Sequence, residues 1–253
     1  MKRKSVNNHS NFANNKLNTV KAVILAGGKG TRLYPITKEI PKPLLPVNGK
    51  PILNHIISLF HSYGIKEIAI LINKKFREDF DWWGKRYYLK ENIKIFEEKE
   101  PLGTFGGLGL LKDWLGDAYF FLTNGDELKD INLFKMVDFH QKIKAPATIA
   151  LVKVKDPRDY GVAIYENCFI SKFLEKPKNP PSNYVSAGLY LLSPEIFSYY
   201  SGLKFSMIEK DILPKLAKEK KLAGFKFNGK WIDCGTWKRY SDAIEKWQFK
   251  SEA

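Results

Sequence analysis

Cysteine is scarce in this chain: Cys168 and Cys234 are the only two among 253 residues. They form no Cys-x-x-Cys pair and no disulfide framework, so a disulfide-stapled secreted scaffold is excluded and a reducing compartment is expected. No apolar run reaches the ~18 residues that a membrane span requires, and no hydrophobic segment of signal-peptide type stands near the N-terminus. A cytoplasmic protein with no membrane partner is therefore expected. Histidine is also sparse. His9, His55, His61 and His140 make no His-Glu-x-x-His motif, neither cysteine has a histidine nearby, and no Gly-x-Ser-x-Gly elbow occurs. Zinc chemistry and covalent catalysis lose their usual carriers.

Acidic side chains are outnumbered, 27 Asp and Glu against 42 Lys and Arg, for a net charge of +15. Such a balance favours anionic ligands. Much of the excess is diffuse, as in Lys218, Lys220 and Lys221, and reads as a lysine-rich surface; no nucleic-acid partner is expected. Trp82-Trp83-Gly84-Lys85-Arg86-Tyr87-Tyr88 interleaves rings and cations as single-strand binders do. Core packing or a contact between two copies, making a homodimer, is the better reading of those rings.

Against these absences stands one concentrated feature. Leu25-Ala26-Gly27-Gly28-Lys29-Gly30-Thr31-Arg32-Leu33 follows a strand-like apolar stretch and precedes Pro41-Lys42-Pro43. Glycines let backbone N–H groups approach a ligand, and successive N–H groups form an anion-binding nest. Arg32 and Lys42 add full charges suited to phosphate oxygens. The run is not a dinucleotide fingerprint, because Leu33 stands where the third glycine belongs, and no Gly-Lys-Ser/Thr makes it a P-loop. Pro35, Pro41, Pro43 and Pro46 oppose a helix after it. Loop amides and side chains, more than a helix dipole, are expected to hold the phosphates.

The spacing of apolar residues predicts strands at 22–25, 68–72, 93–96, 118–122 and 147–154, alternating with helices at 51–63, 74–88, 104–115 and 133–141. This βαβα rhythm predicts an α/β fold with a mainly parallel sheet covered by helices on both faces. Later the pattern loosens into strands at 161–164, 169–174, 185–192 and 222–227 and helices at 194–200, 206–218 and 236–249. Residues 1–18, rich in Asn and Lys, read as a disordered basic tail, and residues 19–253 as a single domain.

Candidate chemistry lies at predicted strand ends, where open α/β sheets bind ligands. Asp126 follows the 118–122 strand through Thr-Asn-Gly and suits Mg²⁺, which takes hard oxygens and shares itself with phosphates. Asn-Gly-Asp is equally plain turn chemistry. Asp233, before Gly235, offers a second carboxylate or a helix cap. Glu175-Lys176 ends another strand and offers an acceptor for a sugar hydroxyl beside a cation for its phosphate, or simply a solvated pair.

Together these segments resemble the sugar-1-phosphate nucleotidyltransferases, or nucleotide-sugar pyrophosphorylases. Leu25 to Leu33 is similar to the family's N-terminal signature and Pro41-Lys42-Pro43 to its companion. Glu100-Pro101-Leu102-Gly103-Thr104 resembles the nucleotide-facing segment, and Asn124-Gly125-Asp126 the metal loop. Tyr160-Gly161-Val162, Phe173-Leu-Glu-Lys-Pro177 and Ser186-Ala-Gly-Leu-Tyr190 resemble the sugar-binding elements in order, and Trp231-Ile-Asp-Cys-Gly-Thr236 the late metal-binding stretch. The likeness runs from about Lys21 to Trp247 and is nearest to mannose-1-phosphate guanylyltransferases, with Ile208-Glu-Lys-Asp-Ile-Leu-Pro214 contributing.

The resemblance implies a GT-A-like nucleotidyltransferase fold, a Rossmann-like three-layer α/β/α sandwich with a mixed, mainly parallel sheet. It implies a Mg²⁺-dependent enzyme that joins a nucleoside triphosphate to a sugar 1-phosphate and releases pyrophosphate. GTP with mannose 1-phosphate leads; glucose 1-phosphate with dTTP or UTP follows; heptose and N-acetylmuramate derivatives stay open, as does a non-catalytic nucleotide-sugar-binding subunit. Carried onto this sequence, Arg32, Lys42 and Asp126 are the catalytic group. Leu25, Ala26, Gly27, Gly28, Gly30, Thr31, Glu100, Gly103 and Thr104 face the nucleotide. Gly161, Glu175, Lys176, Ser186 and Gly188 face the sugar phosphate, and Asp126 with Asp233 holds the metal. Two departures stand out. Phe105 replaces a usually small residue and is expected to crowd the base or the helix start, and Ser186 replaces a usual Asn or Thr. The hexapeptide β-helix domain of many longer members is missing from this sequence, so their second activity and trimer interface are not expected.

Overall fold

A computed structural model describes residues 17, 19–88 and 93–248. In chain order the strands are β1 (Lys21–Leu25), β2 (Pro46–Val47), β3 (Lys50–Pro51), β4 (Ile68–Asn73), β5 (Ile93–Glu98), β6 (Phe120–Asn124), β7 (Glu127–Lys129), β8 (Ala147–Lys153), β9 (Gly161–Glu166), β10 (Phe169–Glu175), β11 (Tyr184–Leu192), β12 (Leu222–Lys226) and β13 (Trp231–Asp233). The longer helices are α1 (Ile52–Ser62), α2 (Arg77–Tyr87), α3 (Leu133–Ile143), α4 (Leu213–Lys218) and α5 (Trp237–Lys246).

Nine strands form one sheet in the order β5-β4-β1-β6-β11-β8-β12-β10-β9. β1 is apolar on both sides, as a central parallel strand must be. Ala22 and Ile24 enter one core with Ile68, Ile70 and Ile72 of β4, packed by Ile56 and Phe60 of α1 and by Phe80 and Trp83 of α2. Val23, Ala69 and Leu71 enter the other core with Phe105, Leu108, Leu213 and Leu216. Two cores on opposite faces of one sheet are the three-layer sandwich expected from the alternating pattern.

The sheet is mixed, and less parallel than the early rhythm predicts. The β5-β4, β4-β1, β1-β6 and β12-β8 neighbours are parallel. The β6-β11, β11-β8, β10-β12 and β10-β9 neighbours are antiparallel. The second half departs because β9 and β10 are joined by a tight hairpin. Asn167 and Cys168 both take positive φ, 45° and 72°, at its turn, the geometry that matches strand twist in two-residue hairpins.

Helix ends follow their sequence signals. Pro51 precedes α1, and Gly64, at φ 79°, closes it. Gly64 N–H donates to the His61 carbonyl at 2.9 Å and Ile65 N–H to the Phe60 carbonyl at 3.1 Å, the paired bonds of a left-handed helix stop. The helices predicted at 104–115 and 206–218 are irregular. The first is broken into Gly103–Gly106, a 3-10 stretch over Gly107–Leu111, and Lys112–Leu115. A π turn over Ile208–Ile212 leads into α4. Leu17, within the stretch expected as a tail, is fully buried, and the Val20 N–H bonds its carbonyl at 3.0 Å; residues 1–16 and 18 lie outside the described residues.

Candidate active site

The carboxyl ends of β1 and β6 lie side by side, with Leu25 opposite Asn124, and the Gly125 N–H donates to the Leu25 carbonyl at 2.9 Å. The glycine loop leaving β1 and the Asn-Gly-Asp turn leaving β6 therefore face each other across a cleft of about 600 Å³. After the loop the chain makes only a 3-10 turn (Thr31–Leu33) and a single helical turn (Ile36–Glu39). This agrees with the expectation that no substantial helix follows. Leu25, Ala26, Gly27, Gly28, Gly30, Thr31, Arg32 and Lys42 all line the cleft.

Asp126 and Asp233, far apart in sequence, are joined by a two-stranded ribbon that the sequence reading missed. β7 pairs antiparallel with β13, placing Asp233 opposite Glu127, and the Cys234 N–H donates to the Asp126 carbonyl at 2.9 Å. Both carboxylates line the cleft. Lys42 Nζ is ion-paired directly with Asp126 Oδ2. Burial opposes charge on Asp126, yet Lys42, then Lys129 and Arg32, hold its carboxyl below the ordinary range. Burial and the neighbouring Asp126 push Asp233 up. Arg32 lies over this corner: a Cβ on Gly235 would meet its Nη2 at 3.1 Å.

Two adjacent hard carboxylates, mutually repelling and open to a phosphate-sized cleft, are a donor set that fits Mg²⁺. Among the described residues no group of three or more Asp, Glu, His or Cys side chains is placed to hold a metal. A cation here would complete its shell from phosphate oxygens and water, as Mg²⁺ commonly does. Cys234 supplies no nucleophile, since burial and then Asp126 and Asp233 push its thiol pKa up.

The opposite wall comes from the antiparallel half. Gly161, Glu175, Lys176, Ser186 and Gly188 all line it. Lys176 Nζ sits 3.3 Å from Glu175 Oε1, and its backbone N–H donates to the Tyr160 carbonyl at 3.1 Å. β11 shifts register between Ser186 and Tyr190, and Gly188 takes a φ of 56° within that shift. A Cβ on Gly188 would stand 2.3 Å from Glu127 Oε1 and 2.6 Å from Asn124 Nδ2, so only glycine fits.

Of the residues expected to face the nucleotide, Gly103 and Thr104 line the cleft, whereas Glu100 is exposed and does not. The buried carboxylate in that wall is Glu98, at the end of β5, whose Oε1 accepts the Leu102 N–H at 3.3 Å and whose pKa burial raises. The strand-end rule that singles out Asp126 also finds Glu98. Phe105 is 1% exposed and packs against Tyr200, with ring centroids 6.1 Å apart, so it turns into the core and does not crowd the cleft as expected.

Three more acids of the site carry no role in the sequence reading, although two of them, Glu209 and Asp159, stand in segments that share the likeness. Glu209 accepts the Thr104 hydroxyl at 2.7 Å and the Tyr190 hydroxyl at 3.3 Å, linking the Gly103–Thr104 wall to the β11 wall. Burial raises its pKa. Glu127 accepts from Asn124 Nδ2 at 2.7 Å and Trp231 Nε1 at 2.8 Å, and burial pushes its pKa to about 7. Asp159 sits at the mouth beside Tyr160.

Comparison with known proteins accords with this geometry. Residues 21–249 match the family described as Nucleotidyl transferase. The chain is 37% identical over 227 residues to mannose-1-phosphate guanylyltransferase 1 of Arabidopsis thaliana, covering 85% of this chain and 61% of that protein. It is 36% identical over 224 residues to mannose-1-phosphate guanyltransferase of Saccharomyces cerevisiae, with the same shares. The chain thus spans about three fifths of the length of these curated relatives. The crystal structure of HddC from Yersinia pseudotuberculosis complexed with GMP-PN superposes with a TM-score of 0.78 at 28% identity, covering 90% of this chain and 100% of that one. On its family match and on this architecture, the chain belongs to the nucleotidyl transferase family.

Proposed function

We propose that this protein transfers a nucleotidyl group from a nucleoside triphosphate to a sugar 1-phosphate, most closely as a mannose-1-phosphate guanylyltransferase making GDP-mannose from GTP. The observation that carries this reading is the convergence of Asp126, Asp233, Arg32 and Lys42 in one cleft, between a glycine-loop wall and the Glu175–Lys176 wall. The names of the curated relatives and the GMP-PN complex of the Yersinia protein support guanine and mannose.

In this reading an oxygen of the sugar phosphate attacks the α-phosphorus, a new P–O bond forms, and the bond to the departing pyrophosphate breaks. The attacking phosphate is already ionised near neutral pH, so no strong base is needed; placement and charge do the catalysis. Arg32 steadies the leaving β- and γ-phosphates. Lys42 sits beside Asp126, where the α-phosphate and the attacking phosphate meet. Gly27, Gly28, Gly30 and Thr31 present backbone to the triphosphate, and Gly103 and Thr104 approach the base. Lys176 takes the sugar phosphate and Glu175 a ring hydroxyl; Ser186 and Gly188 shape that wall. Asp126 and Asp233 would hold Mg²⁺, which when bound would neutralise phosphate charge between the substrates.

Among the described residues no helix is long and apolar enough to cross a membrane. The free thiols Cys168 and Cys234 suit our placement of the protein in the reducing cytoplasm. A panel of triphosphates against a panel of sugar 1-phosphates, read by pyrophosphate release, tests the reading. GTP with mannose 1-phosphate should give the highest kcat/KM. Preference for glucose 1-phosphate with dTTP or UTP would reassign the substrates, and silence across the panel would leave a nucleotide-sugar-binding subunit.

A further inference from the structure

Arg239 lies in the first turn of α5 and does not line the cleft, yet its side chain reaches three groups that do. Its Nη1 donates to Asp159 Oδ2 at 3.0 Å and to the Tyr160 hydroxyl oxygen at 3.1 Å. Its Nε stands 3.2 Å from Asp233 Oδ2. The guanidinium carbon is 5.4 Å from the Tyr160 ring centroid, within cation–π range. Tyr160 carries the contact onward in two directions. Its carbonyl accepts the Lys176 N–H at 3.1 Å, and its ring meets Trp231, two residues before Asp233 on β13, edge-on at 5.1 Å.

One planar cation thus joins the 159–161 turn, the Lys176 backbone and the late carboxylate, which come from separate stretches of chain. Each half of that junction has its own need for it. Asp233 is nearly buried, and Arg239 Nε is a cation within ion-pair reach of its Oδ2. The 159–161 turn has Asp159 largely in solvent, so the guanidinium is its inner anchor. Among the described residues, Nε and Nη2 of Arg239 make no hydrogen bond, so donors remain for a closer grip once substrate fills the cleft, where catalytic contacts commonly tighten.

We propose that Arg239 is a positioning residue that fixes the sugar-phosphate wall relative to Asp233, so that the attacking phosphate meets the carboxylate corner in register. This rests on the nucleotidyl-transfer reading above. The fork geometry matters as well as the charge, because a lysine ammonium cannot hold Asp159, Tyr160 and Asp233 together. Arg239→Ala and Arg239→Lys test it against wild type in two measurements.

In steady-state kinetics, Arg239→Ala should raise KM for the sugar 1-phosphate about tenfold or more, on the scale of a small misplacement, with KM for the triphosphate within about twofold. Arg239→Lys should leave that KM raised. In amide hydrogen exchange of the substrate-free protein, both variants should exchange faster over 157–163 and 231–236 and normally over 21–30. Unchanged KM and exchange would overturn the assignment. So would an equal rise in both KM values with faster exchange throughout, the mark of general loosening. A wild type without turnover would overturn the proposed function instead, and the exchange measurement would then still decide whether Arg239 ties the two segments.

Discussion

The two ends of the cleft are built by opposite means. The β5-β4-β1-β6 half is parallel, and it presents backbone: a glycine loop, a glycine turn at Gly125, and cations brought in on short 3-10 turns. The β11-β8-β12-β10-β9 half is largely antiparallel, and it presents side chains: Glu175, Lys176, Ser186 and Tyr190 from strands or their ends. A triphosphate offers many equivalent oxygens, which amides and point charges satisfy without fine selection. A sugar offers hydroxyls in fixed directions, which strand side chains can sort. In the proposed function, chemistry common to all substrates falls to the first half and choice of sugar to the second.

Removal of the element that both halves share should have the largest effect. Asp126→Ala is expected to cut turnover by more than about a thousandfold while circular dichroism and melting stay native. Full Mg²⁺-dependent activity in that variant would remove Asp126 from the metal site. Next come the cations of the parallel half. Arg32→Ala and Lys42→Ala should each cost about a hundredfold in kcat, the scale of a lost transition-state donor, and should do so with every sugar phosphate accepted. A loss under threefold would rule out a phosphate clamp.

The antiparallel half has an acid-sensitive support outside the site. His140 of α3 is 2% exposed, and its Nδ1 lies 2.7 Å from the Thr148 hydroxyl. Burial pushes its pKa down from 6.5 to about 4. A base depressed in the folded state stabilises it fully above pH 6.5, and that contribution fades as pH falls toward 4, because the unfolded chain takes up the proton first. At pH 5 the loss amounts to about 2 kcal/mol. Urea midpoints from pH 8 to 4.5 should show this fall in the wild type, and His140→Leu should flatten it. A parallel pair of curves would show that other groups govern the acid limb.

Specificity should respond at the other wall. Glu175→Gln is expected to raise KM for the sugar 1-phosphate about tenfold, one charge-assisted hydrogen bond, with kcat and KM for the triphosphate little changed. If the effect instead appears as a loss of kcat across all sugars, the division of labour between the halves is wrong.

The parallel half was the more legible in the sequence. Its strands are runs such as Ile68 to Ile72 that are buried on both faces, and its loop is a contiguous string of glycine and cation. The later strands were legible without their orientation, because hairpins and crossovers share the same apolar periodicity; the Asn167–Cys168 turn marks the β9–β10 pair as a hairpin. Asp126 and Asp233 were legible as a pair only through the resemblance, and the ribbon that joins them was not, since β7 and β13 are three residues each and meet by a long-range register that no local pattern encodes. Glu98 and Glu100 are two residues apart with opposite fates, because β5 ends between them and only Glu98 faces inward. Phe105 was misplaced for the same reason: its direction depends on a helix that breaks after four residues. Glu209 stands in the Ile208–Pro214 segment that contributes to the likeness but carries no assigned role there, and Arg239 lies on a helix whose local sequence marks nothing but surface.

The smallest effect is expected on the outer side of the parallel half, at the aromatic run that first suggested a partner surface. Trp83 is 1% exposed and its indole N–H donates to Asn54 Oδ1 at 2.7 Å, whereas Trp82 is 62% exposed beneath the Arg86 guanidinium, 5.5 Å from the ring centroid. Neighbours on one helix thus divide into a core ring and a surface ring. Trp82→Ala should shift stability by less than about 0.5 kcal/mol, as surface changes do, and leave both KM values untouched. Sedimentation of wild type and variant side by side then separates two meanings of an exposed ring. An unchanged coefficient makes Trp82 ordinary surface, and a drop from dimer to monomer assigns the α2 face to the contact between copies, placing a partner on the parallel half and away from the Glu175–Lys176 wall.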